Sequence, residues 1–243
     1  MKNKMFLRWL PVLTAGLGLV GLGLRQWLYA AALDEKELLV LWHPLAILLW
    51  AVTAGVVVMV PLCLRGTENL RGYHRNFPHG LSSALGCFAL ALVMGLELLL
   101  SFRGVSPTER ILGLAAAGGL ILVGAERLQK KRPSPLAHGL VCVYFAVHLI
   151  SQYRAWSGCP QLEDYIFPML AGVGLMLFAY QQTAFDGGYG CRKVQLGTGM
   201  LTVYFCLVAL SEDLFLYGAG AAWVLSNLCC TRDEPAGNEQ EVA

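Results

Sequence analysis

Seven residues of this chain combine polar chemistry with a setting that makes it costly. Arg25, His43, Glu97, Tyr144, His148, Gln152 and Arg154 all lie within long apolar runs or at their ends. A charged group placed in a bilayer is expensive, so it marks either a site or a paired contact. The types present could hold a small polar molecule. A carboxylate accepts from an amine, an arginine grips a carboxylate with two parallel donors, and a histidine can donate or accept near neutral pH. His148 has Tyr144, Ser151 and Gln152 at i−4, i+3 and i+4, which puts all four on one helical face, the most polar on any apolar run. Arg25 follows Thr14, Gly18 and Gly21 and precedes Tyr29 on a similar stripe, and its glycines leave room for a partner helix. These residues predict a polar pocket opening toward the outer face, in which Arg25 and Glu97 pair or receive a ligand's carboxylate and amine. The blander expectation is that Arg25, His43 and Glu97 reach to the interface and that His148 is a hydrogen-bonded core histidine.

Other chemistries find less support. His43 and His148 at one depth, with His79 and His138 at the other, have the crude layout of a two-haem cytochrome. Yet His79 and His138 open apolar runs just after prolines, where an interfacial histidine needs no metal, and His138 and His148 lie about 80° apart around their helix. No aspartate lies deep in an apolar run, and no His-Glu-x-x-His, phosphate-binding loop, nucleophile elbow or dinucleotide fingerprint occurs. Glu126 and Arg127 read as an interfacial ion pair. The eight cysteines include no C-x-x-C, and only Cys159 falls in an outer connection, so neither a zinc site nor an intramolecular disulfide is expected. No cofactor is expected.

The elements that position these residues are membrane spans. Hydrophobic residues make up 56% of the 243 and charged ones 14%, where a soluble domain carries about a quarter charged. Stretches near the 20 or so residues needed to cross the hydrocarbon core run over Trp9–Leu33, Leu39–Leu64, Phe77–Phe102, Thr108–Leu128, Leu136–Tyr153, Asp164–Phe185, Val194–Leu210 and Asp213–Cys230. Thirteen of the eighteen lysines and arginines fall in alternate connections and the termini: Lys2, Lys4, Arg8, Arg65, Arg71, Arg75, Arg127, Lys130, Lys131, Arg132, Arg192, Lys193 and Arg232. Basic connections stay cytoplasmic. The chain thus reads as an all-α integral membrane bundle of eight helices with both termini inside, one domain over 1–230 and a polar cytoplasmic tail over 231–243. Cleavage of the first run at Tyr29-Ala30-Ala31-Ala32 would leave seven spans. The run is long for a signal core and Arg25 sits close to that site, which favours an uncleaved anchor. A net charge of +2 gives no reason for a nucleic-acid partner.

The segments Gln152-Tyr153-Arg154-Ala155-Trp156-Ser157, Pro160-Gln161-Leu162, Asp164-Tyr165 and Ala184-Phe185-Asp186 resemble a block in uncharacterised bacterial multi-pass membrane proteins. The resemblance covers the fifth and sixth spans with their flanks. It implies a bacterial cytoplasmic membrane and brings no activity or site residue. The functional expectation is binding or transport of a small polar solute through the outer-half pocket, in a membrane of lipid partners. A non-catalytic structural or signalling subunit, working as a homo-oligomer or within a membrane complex, is the first alternative. A redox protein or enzyme using His148 is the second.

Overall fold

The computed structural model describes residues 2–31 (backbone alone for 2–8), 43–67, 80–100, 106–129, 131–158 and 165–230. Eight α-helices fill them: α1 Lys2–Ala31, α2 Pro44–Leu64, α3 Leu81–Leu100, α4 Pro107–Leu128, α5 Pro135–Trp156, α6 Ile166–Asp186, α7 Arg192–Val208 and α8 Leu214–Cys229. Among the described residues there is no strand, and the fold is an all-α membrane bundle. Six helical segments, α2 to α6 and α7 with its continuation to Ser211, are long and apolar enough to cross a membrane. The tail and Cys159 lie outside the described residues.

Local chemistry sets where several helices begin. Proline opens α2, α4 and α5, where its missing N–H costs no hydrogen bond and its fixed φ suits the first turn. Before Pro44 the His43 ring accepts from the Leu45 amide (3.3 Å), and before Pro107 the Ser106 hydroxyl accepts from the Glu109 amide (3.2 Å). Asp213 caps α8 by accepting from the Leu216 amide (2.9 Å). A short 3-10 turn, Ala209–Ser211, separates α7 from α8, which places the tight hairpin between the last two helices where the sequence put it. At the other end Gly188, with φ of 89°, turns the chain from α6 into α7.

Packing closes six helices into a ring in the order α3, α4, α5, α6, α7, α8 and back to α3, while α1 and α2 lie against each other and chiefly against α7. The ring is filled rather than hollow. Leu90, Met94, Leu120, Phe145, Phe178 and Trp223 are all fully buried, with Phe178 and Trp223 in edge-to-face contact at 5.1 Å. α7 is the hub: 61% of its spanning segment is buried, against 28% for α2. Its approach to α1 depends on small residues. A Cβ on Gly18 would stand 2.9 Å from Leu207 Cβ, and one on Gly21 would stand 2.7 Å from Val208 Cγ2, so the glycine stripe does face a partner helix.

Contacts between helix ends fix their directions. The C-terminal part of α1 meets the C-terminal end of α7 through Arg25 and Val208, and the end of α2 meets the start of α7 through Arg65 and Lys193. The start of α4 meets the second half of α5 through Glu109 and His148, and the start of α5 meets the end of α6 through His138 and Asp186. The start of α3 and the ends of α4 and α8 join through Ser83, Arg127 and Asn227. Successive helices therefore alternate. One end of the bundle carries Glu97, Glu109, Glu212 and Asp213 with Arg25, Arg110 and Arg154; the other carries Arg65, Arg127, Lys131, Arg132, Arg192 and Lys193 with Glu126 and Asp186. We term these the acidic and basic ends.

Candidate functional site

Inside the ring, toward the acidic end, side chains from four helices converge. On α5 the rings of Tyr144 and His148 stack at 5.6 Å. His148 Nδ1 donates to Glu109 Oε1 of α4 at 2.7 Å. Glu109 also adjoins Ser151, the next polar group on the α5 face. The Glu97 carboxyl of α3 meets that of Asp213 at the start of α8, and both His148 and Glu109 are within charge-interaction range. The Tyr217 hydroxyl, one turn into α8, donates to Pro168 O (3.4 Å) and adjoins Gln152. Tyr144 and Tyr217 are each only 2% exposed, and Glu109 is buried.

Three atoms in this group are buried without a hydrogen-bond partner: Glu97 Oε2, Gln152 Oε1 and His148 Nε2. Gln152 Oε1 accepts; Glu97 Oε2 accepts when its carboxyl is ionised, and His148 Nε2 accepts when the ring is neutral and donates its Nδ1–H to Glu109. Unsatisfied buried acceptors are costly, and two meeting carboxyl groups repel unless a proton or a bound cation lies between them. The arrangement is short of donors, so what it can do chemically is receive a small molecule or ion that brings positive charge or N–H groups.

Arg25 is not part of this group. It is 2% exposed at the junction of α1 with α7 and α8. It donates to Val208 O (3.2 Å), Ser211 Oγ (3.1 Å), Tyr29 Oη (3.1 Å) and Glu212 Oε1 (2.8 Å). Its guanidinium lies over the rings of Tyr29 and Phe167. The expected pairing of Arg25 with Glu97 is corrected: the carboxylate partner is Glu212, because the glycine stripe docks α1 on α7 and carries Arg25 to the 3-10 turn that follows α7. His43 serves as the cap of α2. Arg154 is exposed near the end of α5, and Trp156, the last residue of that helix, stacks on Tyr165 (4.6 Å). Of the seven sequence candidates the structure thus unites Glu97, Tyr144, His148 and Gln152. Glu109, Asp213 and Tyr217 join them. Tyr217 is buried within the group.

A second polar cluster sits in the ring near the basic end. Arg127 of α4 donates to Ser83 Oγ, to Asn227 Oδ1 and, at 3.0 Å, to Gln182 Oε1, which ties α4 to α3, α8 and α6. His138 Nδ1 donates to Asp186 Oδ2 at 2.5 Å, both groups fully buried. The Cys87 thiol lies beside His138, whose ring stacks on Trp223 at 6.2 Å. The interfacial reading of Arg127 and His138 is corrected; Asp186, the last residue of α6, is buried at the helix end rather than deep in an apolar run. Arg127 turns inward, while Glu126 accepts from the Ser134 amide at 3.1 Å. Gln182 Nε2, Asp186 Oδ1, His138 Nε2 and Trp223 Nε1 have no hydrogen-bond partner here. They mix donors with acceptors, a set that water satisfies as readily as any ligand. Between the clusters lie Leu90, Met94, Leu120, Val141, Leu175 and Phe178, all fully buried.

The histidines whose depths had the crude layout of a two-haem protein have other roles: His43, His138 and His148 bind Leu45, Asp186 and Glu109 through Nδ1. His79 lies outside the described residues. Among the described residues no group of three or more His, Cys, Asp or Glu side chains has the geometry to hold a metal ion. No protein-family model, curated protein or solved structure matches the chain.

Proposed function

We propose that this chain binds, and carries across a cell membrane of the bacterial cytoplasmic type, a small cationic solute received in the acidic-end cluster of the six-helix ring. The observation that supports this is the trio of partnerless buried acceptors, Glu97 Oε2, Gln152 Oε1 and His148 Nε2, set among three carboxyl groups. Between the meeting carboxyls of Glu97 and Asp213 a bound cation can take the place of a shared proton, whereas an anion would add to their repulsion. The apolar layer between the two clusters closes the route toward the basic end in this conformation, as a carrier that exposes its site to one side at a time requires. The competing reading, a subunit that works by packing alone, draws on Arg127, whose contacts join four helices.

Thermal melts of the purified protein in detergent decide between them, with methylammonium, ethanolamine, putrescine, sodium and a matched set of carboxylates as ligands. A cation should raise the melting temperature, saturably. Glu97→Gln and His148→Phe should abolish that rise while the variants still fold. The proposal fails if no cation stabilises the protein, or if carboxylates do so equally well.

A further inference from the structure

A groove on the lipid-facing side of the bundle, away from the ring interior, has features of a binding site in its own right. It runs between α2 and α7 toward the basic end, with a volume of about 620 Å³. Its walls are Val57, Val60, Pro61 and Leu64 on one side and Val194, Gly197 and Leu201 on the other, with Arg65 and Lys193 at its end. Two details of sequence shape it. Pro61 lies inside α2 and has no amide to give to the carbonyl of Val57, one turn earlier, which leaves that carbonyl without its helical donor beside the groove. Gly197 removes a side chain from the opposite wall, where a Cβ would already stand 3.3 Å from Leu64 Cδ1.

The lining selects the occupant. Val57 to Leu64 and Lys193 to Leu201 each span about 10–12 Å of helix, close to the thickness of one leaflet of the roughly 30 Å hydrocarbon core. The apolar part of the groove therefore lies at acyl-chain depth and its two cations at headgroup depth. Lys193 Nζ donates to Arg65 O at 3.3 Å, so the two residues sit together at the mouth. A basic mouth over an apolar slot on the side of the bundle richest in positive connections matches an anionic phospholipid. A free phosphate would leave the slot empty, and a zwitterionic lipid would bring a second cation to the mouth.

We propose that this groove is a binding site for one anionic phospholipid of the basic-end leaflet, its chain against Val57, Pro61 and Gly197 and its phosphate at Arg65 and Lys193. The site is independent of the acidic-end cluster and stands or falls separately from the solute reading.

The test is native mass spectrometry of the full chain, delipidated in detergent and exposed to equal amounts of dioleoyl phosphatidylglycerol and dioleoyl phosphatidylcholine, with glycerol phosphate as the headgroup control. One phosphatidylglycerol should be retained preferentially, and the double variant Arg65→Gln/Lys193→Gln should lower that preference by about thirtyfold. Val57→Trp, which fills the slot from a half-exposed position, should lower retention of both lipids. Gly197→Leu fills it from the other wall and serves if the first variant folds poorly. An unchanged lipid ratio in the double variant overturns the site, as does retention unaffected by either slot-filling variant or binding of glycerol phosphate as strong as that of the lipid.

Discussion

The clamp around Arg25 makes a quantitative prediction, because its two halves differ in burial. Replacing Arg25 by Gln removes donors to Val208 O, Ser211 Oγ and Tyr29 Oη and breaks the pair with Glu212. Hydrogen bonds between helices in membranes average about 0.6 kcal/mol each. The ion pair, whose carboxylate is 36% exposed, adds about 0.5–1 kcal/mol after solvent screening. Arg25→Gln should therefore cost about 2–3 kcal/mol, roughly 30- to 150-fold in the folding constant. Glu212→Gln should cost a comparable amount, about 2–3 kcal/mol, since it takes a carboxylate away from a guanidinium that is 2% exposed. In the double variant no such charge remains, so its cost should fall short of the two single costs added together by at least about 1 kcal/mol. Equilibrium unfolding in mixed micelles, titrated with denaturing detergent, measures all three. Strict additivity, or single costs below about 0.5 kcal/mol, would refute the burial asymmetry on which the reasoning rests.

Two further outcomes follow from the packing and the alternation. Gly21→Leu forces a side chain into Val208 and should destabilise the bundle by about 1–3 kcal/mol. Gly16→Leu, with nothing within 4 Å of its added Cβ, should be neutral or slightly stabilising through helix propensity; the same unfolding titration compares them, and equal losses would contradict the α1–α7 contact. A reporter fused after Arg132 should be cytoplasmic and one after Trp156 exterior, and finding both on one face would end the alternating arrangement.

The spans and the α5 stripe were readable from the sequence because both are local. Hydropathy sets the span, and 3.6-residue periodicity places Tyr144, His148 and Gln152 on one face. The partners were not readable in the same way. Glu109 faces His148 across a helix boundary, and its only local signal was the Ser106-x-x-Glu109 start of α4, which marks a helix N-terminus and not a site. Asp213 opens an expected span and Glu212 lies in the short connection before it, with nothing local to name their partners, yet one meets Glu97 and the other holds Arg25. At the basic end, distance from the nearest loop was a poor guide. Arg127, His138 and Asp186 all lie within a turn of a helix end, where a side chain can turn outward to water or inward. A local clue for Arg127 existed in the stripe Gly113, Ala117, Leu120, Gly124, because its continuation by three residues lands on that arginine. The direction of the glycine stripe on α1 was legible; the identity of the helix it docks on was not, since α7 comes so much later in the chain.

That separation has a consequence for how the protein is made. Arg25 and the carboxylate that neutralises it are 187 residues apart. At ribosomal speeds of about 5–20 residues per second, the N-terminal hairpin waits roughly 10–40 s between the synthesis of Arg25 and that of Glu212. During that interval α7, the helix on which α1 and α2 chiefly dock, is also absent. The first two helices are thus a nascent intermediate held in lipid before their packing partner exists, and any membrane chaperone acting on this chain has its longest task there.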